Sequence, residues 1–361
     1  MKILQIMAGK GNGGAELYSK DVMIGLHEQG VDQVVVVREE APATAELRAQ
    51  GLRVVSSPLD AVLRSVQRFR LGRLIEKEQP DIVQCWMRRA ASLIPPHTRR
   101  KRAVIGWFGD YEELPHFSSC NRFVGVTQDL CDHMVAAGIN PQDTKYIPTF
   151  SSVDNAPPLA RASLNTPETA PVVITLSRLH PTKGIDTLIQ ALVKLDDVYL
   201  WIAGDGPLRD DLELLAEKLG VAPRVRFLGW RTDRGSLLRA ADICVLPSRY
   251  EPFGTVIIDA WIAGIPLVAC DSAGPKAHVR TRENGMLVPK DNPDALGEAI
   301  RELLGNDGLR NAIIENAYME YSASFSRSFV IDSYKRYYES IIQDLNFQKY
   351  RRSWLKAHVS S

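Results

Sequence analysis

Cysteine is scarce in this chain and badly placed for chemistry. The five residues Cys85, Cys120, Cys131, Cys244 and Cys270 are scattered and never spaced as C-x2-C. That pattern excludes a disulfide-stapled module and a zinc ribbon, and reads as reduced thiols of a cytosolic protein. The seven histidines include no H-E-x-x-H, so no metal site is expected. No apolar run approaches the roughly 20 residues needed to span a bilayer. The chain enters an expected strand at Lys2–Ala8 with no apolar signal segment before it. The formal net charge is only +1, which gives no global argument for nucleic acid, and no nucleic-acid partner is expected.

What is present is the composition of a globular protein, 45% hydrophobic and 24% charged over 361 residues, long for one core and comfortable for two. Short apolar runs alternate with helical patterns, the sequence form of a parallel sheet covered by helices on both faces. In the first half Ile3–Met7, Val34–Val37, Arg53–Val55, Ile82–Cys85, Val104–Trp107 and Phe123–Val126 read as strands, with helices at Ala15–Gln29 and Leu59–Lys77. The pattern breaks over Ile147–Pro171, a Pro-, Ser- and Asn-rich stretch that reads as a linker.

The second half repeats the scheme. Strands are expected at Val172–Leu176, Tyr199–Ala203, Val225–Leu228, Ile243–Leu246, Leu267–Ala269 and Met286–Val288. Helices are expected near Gly184–Leu195, Leu208–Leu219, Gly235–Ala240, Thr255–Ala263, Pro293–Leu304 and Gly308–Tyr321, with a last one over Ser328–Leu345. Two doubly wound domains imply ligands at the carboxyl ends of their strands.

The segment Pro247–Asp259 sets Glu251 and Asp259 eight positions apart, with a glycine-containing turn directly after the first. If Thr255–Ala263 is helical, Phe253, Gly254 and Thr255 lie at its N-terminus, where free backbone N–H groups and the positive dipole end attract phosphate. Arg178 and Lys183, five apart after a strand and before a helix, are placed to neutralise a pyrophosphate, or else are a solvated basic loop.

This segment closely resembles the glutamate-x7-glutamate signature of family 4 retaining glycosyltransferases, which move a sugar from a nucleotide-sugar donor. The resemblance implies the GT-B fold: two Rossmann-like domains facing each other across a cleft, and a C-terminal helix crossing back. Residues 1–155 would then bind the acceptor, 156–327 the nucleotide sugar, and 328–361 would rejoin the first domain. It also implies that Glu251 binds the donor sugar, that Asp259, one methylene shorter than the family's glutamate, binds the ribose, and that Arg178 and Lys183 hold the diphosphate. Gly204, in the turn Gly204-Asp205-Gly206-Pro207, matches a family turn position. Main-chain atoms near Trp230 and Arg231 would contact the base, unless Trp230 is simply a packed indole. His278 stands where a glutamate is common. No Asp-x-Asp is present, in keeping with the metal-independent GT-B scheme, and no cofactor beyond the donor is expected.

The N-terminal loop also satisfies G-x-G-x-x-G through Gly9, Gly11 and Gly14, with Glu39 after a second strand, which brings a nicotinamide dehydrogenase into consideration. That reading leaves Arg178, Lys183, Glu251 and Asp259 without a task. The resemblance instead assigns Gly13 and Gly14 to the donor phosphate or sugar. Where many family members carry a histidine, this chain has Trp107-Phe108-Gly109-Asp110. Asp110 either supplies an acceptor-side contact in its place or caps the next helix.

The string Gly106–Thr127 resembles bacterial enzymes of lipopolysaccharide assembly, which implies a glycan or glycolipid acceptor, with a catalytically idle scaffold protein or a sugar-nucleotide epimerase as alternatives. Between Pro58 and Arg102 eleven cations (Arg64, Arg68, Arg70, Arg73, Lys77, Arg88, Arg89, Arg99, Arg100, Lys101 and Arg102) face four acids, an excess of seven. With Val62, Val66, Phe69 and Leu74 among them, this is what an anionic membrane surface or a phosphorylated lipid would favour, or else a solvated helix with an ordinary buried face. A second basic cluster (Lys349, Arg351, Arg352 and Lys356 around Tyr350 and Trp354) would join that surface or fray as a tail. The expected location is the cytoplasm, on the inner face of its membrane.

Overall fold

The computed structural model describes residues 1–11, 13–60, 64–153 and 155–358, with side chains described through residue 345. The chain divides into two compact units, Met1–Thr149 with Arg327–Ser361, and Phe150–Ser326.

The first unit is built on a seven-stranded sheet of β1 (Lys2–Met7), β2 (Asp32–Val37), β3 (Arg53–Ser56), β4 (Ile82–Trp86), β5 (Ala103–Phe108), β6 (Arg122–Gly125) and β7 (Thr144–Tyr146). All neighbours run parallel in the order β3-β2-β1-β4-β5-β6-β7. Its helices are α1 (Gly14–Glu28), α2 (Ala43–Ala49), α3 (Arg64–Glu78), α4 (Met87–Ser92) and α5 (Gln128–Ala136). β4 and β5 are buried along their whole length; they read as apolar runs, broken in β4 only by Gln84, because helices cover both faces of such a sheet.

The second unit repeats the design with six strands: β8 (Val172–Leu176), β9 (Tyr199–Ala203), β10 (Val225–Gly229), β11 (Ile243–Leu246), β12 (Leu267–Cys270) and β13 (Met286–Val288). Their order is β10-β9-β8-β11-β12-β13. The helices are α6 (Ile185–Ala191), α7 (Arg209–Lys218), α8 (Arg234–Ala240), α9 (Thr255–Ala263), α10 (Ala273–His278), α11 (Pro293–Gly305) and α12 (Asp307–Ser324). Local chemistry starts several of them. Asn292 caps α11 by accepting from the Ala295 N–H with Pro293 at the first turn, and Asn306 caps α12 through the Leu309 N–H.

The long C-terminal helix α13 (Arg327–His358) belongs to the first unit. Tyr334 and Tyr338 are fully buried there, Tyr338 Oη donating to Gln84 Oε1 at 3.1 Å and the Tyr334 ring lying 5.7 Å from Trp86. The cluster from Lys349 to Lys356 lies outside the described side chains, as does Val62.

Several elements differ from expectation. The helix expected from Leu59 begins, among described residues, at Arg64, and Leu59 itself is a buried residue at φ +48°. Short helices α2, α4, α5 and α10 and the edge strand β7 carry too little periodicity to stand out. The expected linker is not loose. Arg161 donates to both Asp242 oxygens at 3.1 Å and to the Ala240 carbonyl at 2.8 Å, and Trp201 Nε1 donates to Thr166 at 3.0 Å, so this polar stretch is fastened to the second unit.

Candidate active site

In both sheets strand order reverses at one point, between β1 and β4 and between β8 and β11. Connections there leave in opposite directions and open a crevice at the carboxyl edge. The sequence candidates fall at these two places.

In the second unit the loop after β8 carries Arg178 and Lys183, and the loop after β11 carries Glu251. Lys183 Nζ lies 2.6 Å from Glu251 Oε2, with only 17% and 16% of the two side chains exposed. Two features hold the loops together. The Thr182 carbonyl accepts from the N–H groups of Arg249 and Tyr250 at 2.9 and 3.1 Å. The Arg249 guanidinium grips Asp186 through parallel bonds of 2.8 and 2.7 Å, reaches Pro181 O at 2.7 Å and also meets Asp291. Burial alone would raise the Asp186 carboxyl, but the Arg249 hydrogen bonds outweigh it and hold it below the usual range. Arg249 escaped the sequence reading because its partners lie 63 and 42 positions away.

Gly184 makes this approach possible. It sits at φ +61°, and a Cβ there would lie 2.1 Å from the Pro247 carbonyl oxygen. Gly184→Ala is therefore expected to cost roughly 2 kcal/mol or more of stability, read as a lower denaturant midpoint; an unchanged midpoint would mean the two loops are not packed this closely.

α9 starts with Gly254 at φ +88°, without a side-chain cap and without an acid in its first turn, so the amides around Thr255 are open to an anion. Phe253 is buried, its ring 4.7 Å from that of His278. The Glu251 carbonyl accepts from Gly274 N–H at 2.7 Å, and a Cβ at Gly274 would lie 2.3 Å from Phe253 O. α10 thus braces the Glu251 loop from behind. His278 is buried and pushed down to about 4 by that burial, so it is neutral near pH 7.

The remaining candidates divide. Arg178 is exposed, with no ion pair among the described residues. Trp230 is 68% exposed, which removes the packed-indole alternative, and Arg231 is held by both oxygens of Asp233 at 2.8 and 2.5 Å. Gly204 pairs with Gly229, the residue before Trp230, in an antiparallel bridge. Asp259 has no exposed surface. Its Oδ2 takes Arg234 Nη1 at 2.8 Å and its Oδ1 takes the Ser151 hydroxyl. Burial raises its carboxyl while Arg234 and Ser151 oppose the rise. A ribose would reach this carboxylate only by displacing one of them. Nothing in the sequence pointed to Ser151, 108 positions upstream.

In the first unit a cavity of about 520 Å³ lies at the β1/β4 switch point. Gly9, Lys10 and Glu16 line it from the β1 side, Met87, Arg88 and Arg89 from the β4 side, and Trp107, Asp110 and Glu112 from the end of β5. Met87 holds φ +65°, a costly conformation for an unbranched side chain and one that concentrates at functional sites. Gly13 occupies the N-cap of α1 with no side-chain cap, and Gly14 begins the helix. Asp110 does not cap the following 3-10 turn, whose N-cap is Glu113; its carboxylate accepts from the Tyr111 N–H at 2.7 Å. Glu39, the acid the dehydrogenase reading requires, is bound by both terminal nitrogens of Arg48 at 2.7 Å.

Over 341 residues the chain is 33% identical to the lipopolysaccharide core biosynthesis glycosyltransferase LpsE of Rhizobium meliloti, covering 92% of this chain and 98% of that one. The chain belongs to the glycosyl transferases group 1 family. The glycosyl transferases group 1 family matches residues 158–320 of this glycosyltransferase, and glycosyltransferase family 4 matches residues 12–154. LpsD of the same organism is 32% identical, covering 92% of this chain and 97% of that one. Among solved structures, Anabaena Alr3699/HepE in complex with UDP and glucose superposes with a TM-score of 0.79 at 22% identity, covering 94% and 100% of the two chains. WaaG, a glycosyltransferase involved in lipopolysaccharide biosynthesis, gives 0.65 at 18%, covering 92% and 98%. Those structures share the GT-B architecture of two parallel-sheet Rossmann-like units with this transferase.

Proposed function

We propose that this enzyme transfers a hexose, with retention of anomeric configuration, from a nucleoside-diphosphate sugar to a glycan or glycolipid of the lipopolysaccharide core. The carrying observation is the Lys183–Glu251 pair beside the uncapped N-terminus of α9, at the switch point of the second sheet. The names of LpsE and LpsD support the acceptor class, and the UDP and glucose bound by HepE support the donor class.

In this reading the second unit holds the donor. Arg178, Lys183 and the amides at Gly254 and Thr255 take the diphosphate, Glu251 orients the sugar, and the main chain near Trp230 and Arg231 meets the base. Asp259 is given a positioning role, fixing Arg234 toward the ribose side. The first unit takes the acceptor in its cavity, with Asp110 on the wall and the Gly13 and Gly14 amides offered to an anionic oxygen.

The family resemblance supports retention by the same-face route. The acceptor hydroxyl oxygen bonds to the anomeric carbon as the bond from that carbon to the phosphate oxygen breaks, and the departing phosphate takes the hydroxyl proton. Arg178 and Lys183 stabilise the charge that develops on the leaving group. Peripheral attachment to the inner face of the cytoplasmic membrane belongs to the same proposal. No described helix is long and apolar enough to cross a membrane, and a lipid-linked acceptor is presented at its surface.

The test is a panel of UDP-, GDP- and ADP-sugars assayed for binding and slow hydrolysis, with Lys183→Ala as control. One donor bound by the wild type and, more weakly, by Lys183→Ala, but cleaved at a normal rate by the wild type alone, is the expected result. Binding of none would favour the inactive GT-B binding protein, a reading that draws on the sealed Asp259.

A further inference from the structure

The cations predicted to cluster between Pro58 and Arg102 have few carboxylates to meet. Arg64 and Arg68 both turn to one neutral acceptor, the Ser92 carbonyl oxygen, at 3.3 and 3.2 Å for Nε and Nη2 of Arg64 and 3.1 and 2.9 Å for those of Arg68. Burial and the nearby Arg64 charge hold the Arg68 guanidinium below its usual value. The acids of the region are already engaged. Glu76 faces Lys101 and Arg102, Glu78 faces Lys2 and Arg53, and Asp81 accepts from the Lys2 N–H. Arg70, Arg73, Lys77 and Arg100 are exposed and have no ion pair among the described residues.

Helix geometry gathers this charge on one side. Gln67, Leu71, Ile75 and Glu78 are the buried stripe of α3. Val66, Phe69, Arg70, Arg73 and Lys77 recur at i, i+3, i+4, i+7 and i+11, the stripe facing away from it. Phe69 is 65% exposed and Val66 42%, with the Arg73 guanidinium 5.8 Å from the Phe69 ring centroid. Exposed apolar side chains set among unneutralised cations combine the two terms that hold a helix on a bilayer, burial of apolar surface below the headgroups and attraction to anionic lipid.

We propose that this face of α3 docks on the anionic surface of a phospholipid bilayer, with Phe69 and Val66 entering the headgroup boundary and Arg70, Arg73, Lys77 and Arg100 lying on lipid phosphates. The proposal rests on the peripheral attachment described above and gives it a location. It also connects to the cavity. α4 begins at the cavity with Met87 and Arg88 and ends at Ser92, where α3 holds it, a span of about 9 Å for a six-residue helix. A glycan in the cavity therefore stays within reach of a lipid anchor left in the membrane.

The test is co-sedimentation of the full-length protein with vesicles of phosphatidylglycerol mixed into phosphatidylcholine, against pure phosphatidylcholine. The wild type is expected to bind the anionic vesicles selectively and to release as salt rises toward roughly 0.5 M. Arg70→Glu with Arg73→Glu is expected to weaken binding at least about thirtyfold, and Phe69→Ser about tenfold. All three positions are exposed, so melting temperatures are expected to hold.

A wild type that binds neither vesicle overturns both the docking face and peripheral attachment. Undiminished binding by both variants overturns the docking face alone. Loss in the charge variant with full binding by Phe69→Ser also overturns it, because a plain polyelectrolyte contact needs no inserted ring.

Discussion

Replacing Lys183 by alanine is expected to lower turnover at saturating donor by about 10²- to 10³-fold, the cost of removing one preorganised charge from a developing oxyanion. The local geometry says why the effect belongs in kcat. Lys183 Nζ is held 2.6 Å from Glu251 in a pair that is only one-sixth exposed, so the ammonium is aimed before the donor arrives and pays little reorganisation when the diphosphate leaves. Donor affinity is expected to fall less, since Arg178 and the α9 amides still meet the ground-state phosphates.

Glu251→Gln gives a complementary result. The amide oxygen still accepts from Lys183, but the counter-charge is gone, and the hydroxyl contacts of the sugar are altered without emptying the site. Because the two residues touch, Lys183→Ala combined with Glu251→Ala is expected to lose less than the product of the single losses. Near-normal turnover by Lys183→Ala, with melting unchanged, would remove Lys183 from the leaving-group role. Loss of donor affinity with kcat unchanged would make it a ground-state anchor.

The parallel sheets were legible because a strand covered on both faces is apolar at nearly every position, as in Ile243–Leu246 and in Val172–Leu176, where Thr175 is the one polar residue, both buried throughout. β7, Thr-Lys-Tyr at a sheet edge with no fully buried position, carries no such signal. α9 was legible to its boundaries, because the Gly254 turn starts it and Gly264 at φ +72° ends it. The Lys183–Glu251 pairing was approachable because both residues follow strands that flank the switch point. The Arg249 clamp and the Ser151–Asp259–Arg234 seal were not, since each joins segments that no periodicity relates. Asp259 shows the limit most clearly. Its spacing from Glu251 marks it as a ligand-facing acid, while its environment is a closed ion pair.

His278→Phe is expected to flatten the acid side of the stability profile. Burial pushes the wild-type imidazole down to about 4, whereas in the unfolded chain it titrates near 6.5. Between those values the unfolded state binds the proton that the folded state refuses, so wild-type stability is fully present above about pH 6.5 and falls as pH drops toward 4, by about 3 kcal/mol in all. Below that window both states are protonated and the loss stops. Phenylalanine keeps an aromatic ring against Phe253 and Phe325, 4.7 and 5.2 Å from the imidazole. It also removes a buried Nε2 that has no hydrogen-bond partner among the described residues.

Denaturant midpoints across pH 4 to 8 provide the measurement, taken as the difference between variant and wild type so that other acids cancel. Asp186, held low by Arg249, loses its contribution only at more acid pH, and Asp259, raised by burial, gains stability as it protonates. Neither shifts the difference between the two proteins. A difference that does not change with pH would mean that His278 titrates in the folded state as it does in the unfolded chain. Because the folded His278 stays neutral down to about pH 4, its packing on Phe253, two residues from Glu251, is expected to hold across this window, and donor cleavage by the folded enzyme with it. Activity lost with falling pH while stability holds would have to come from a group that touches the donor.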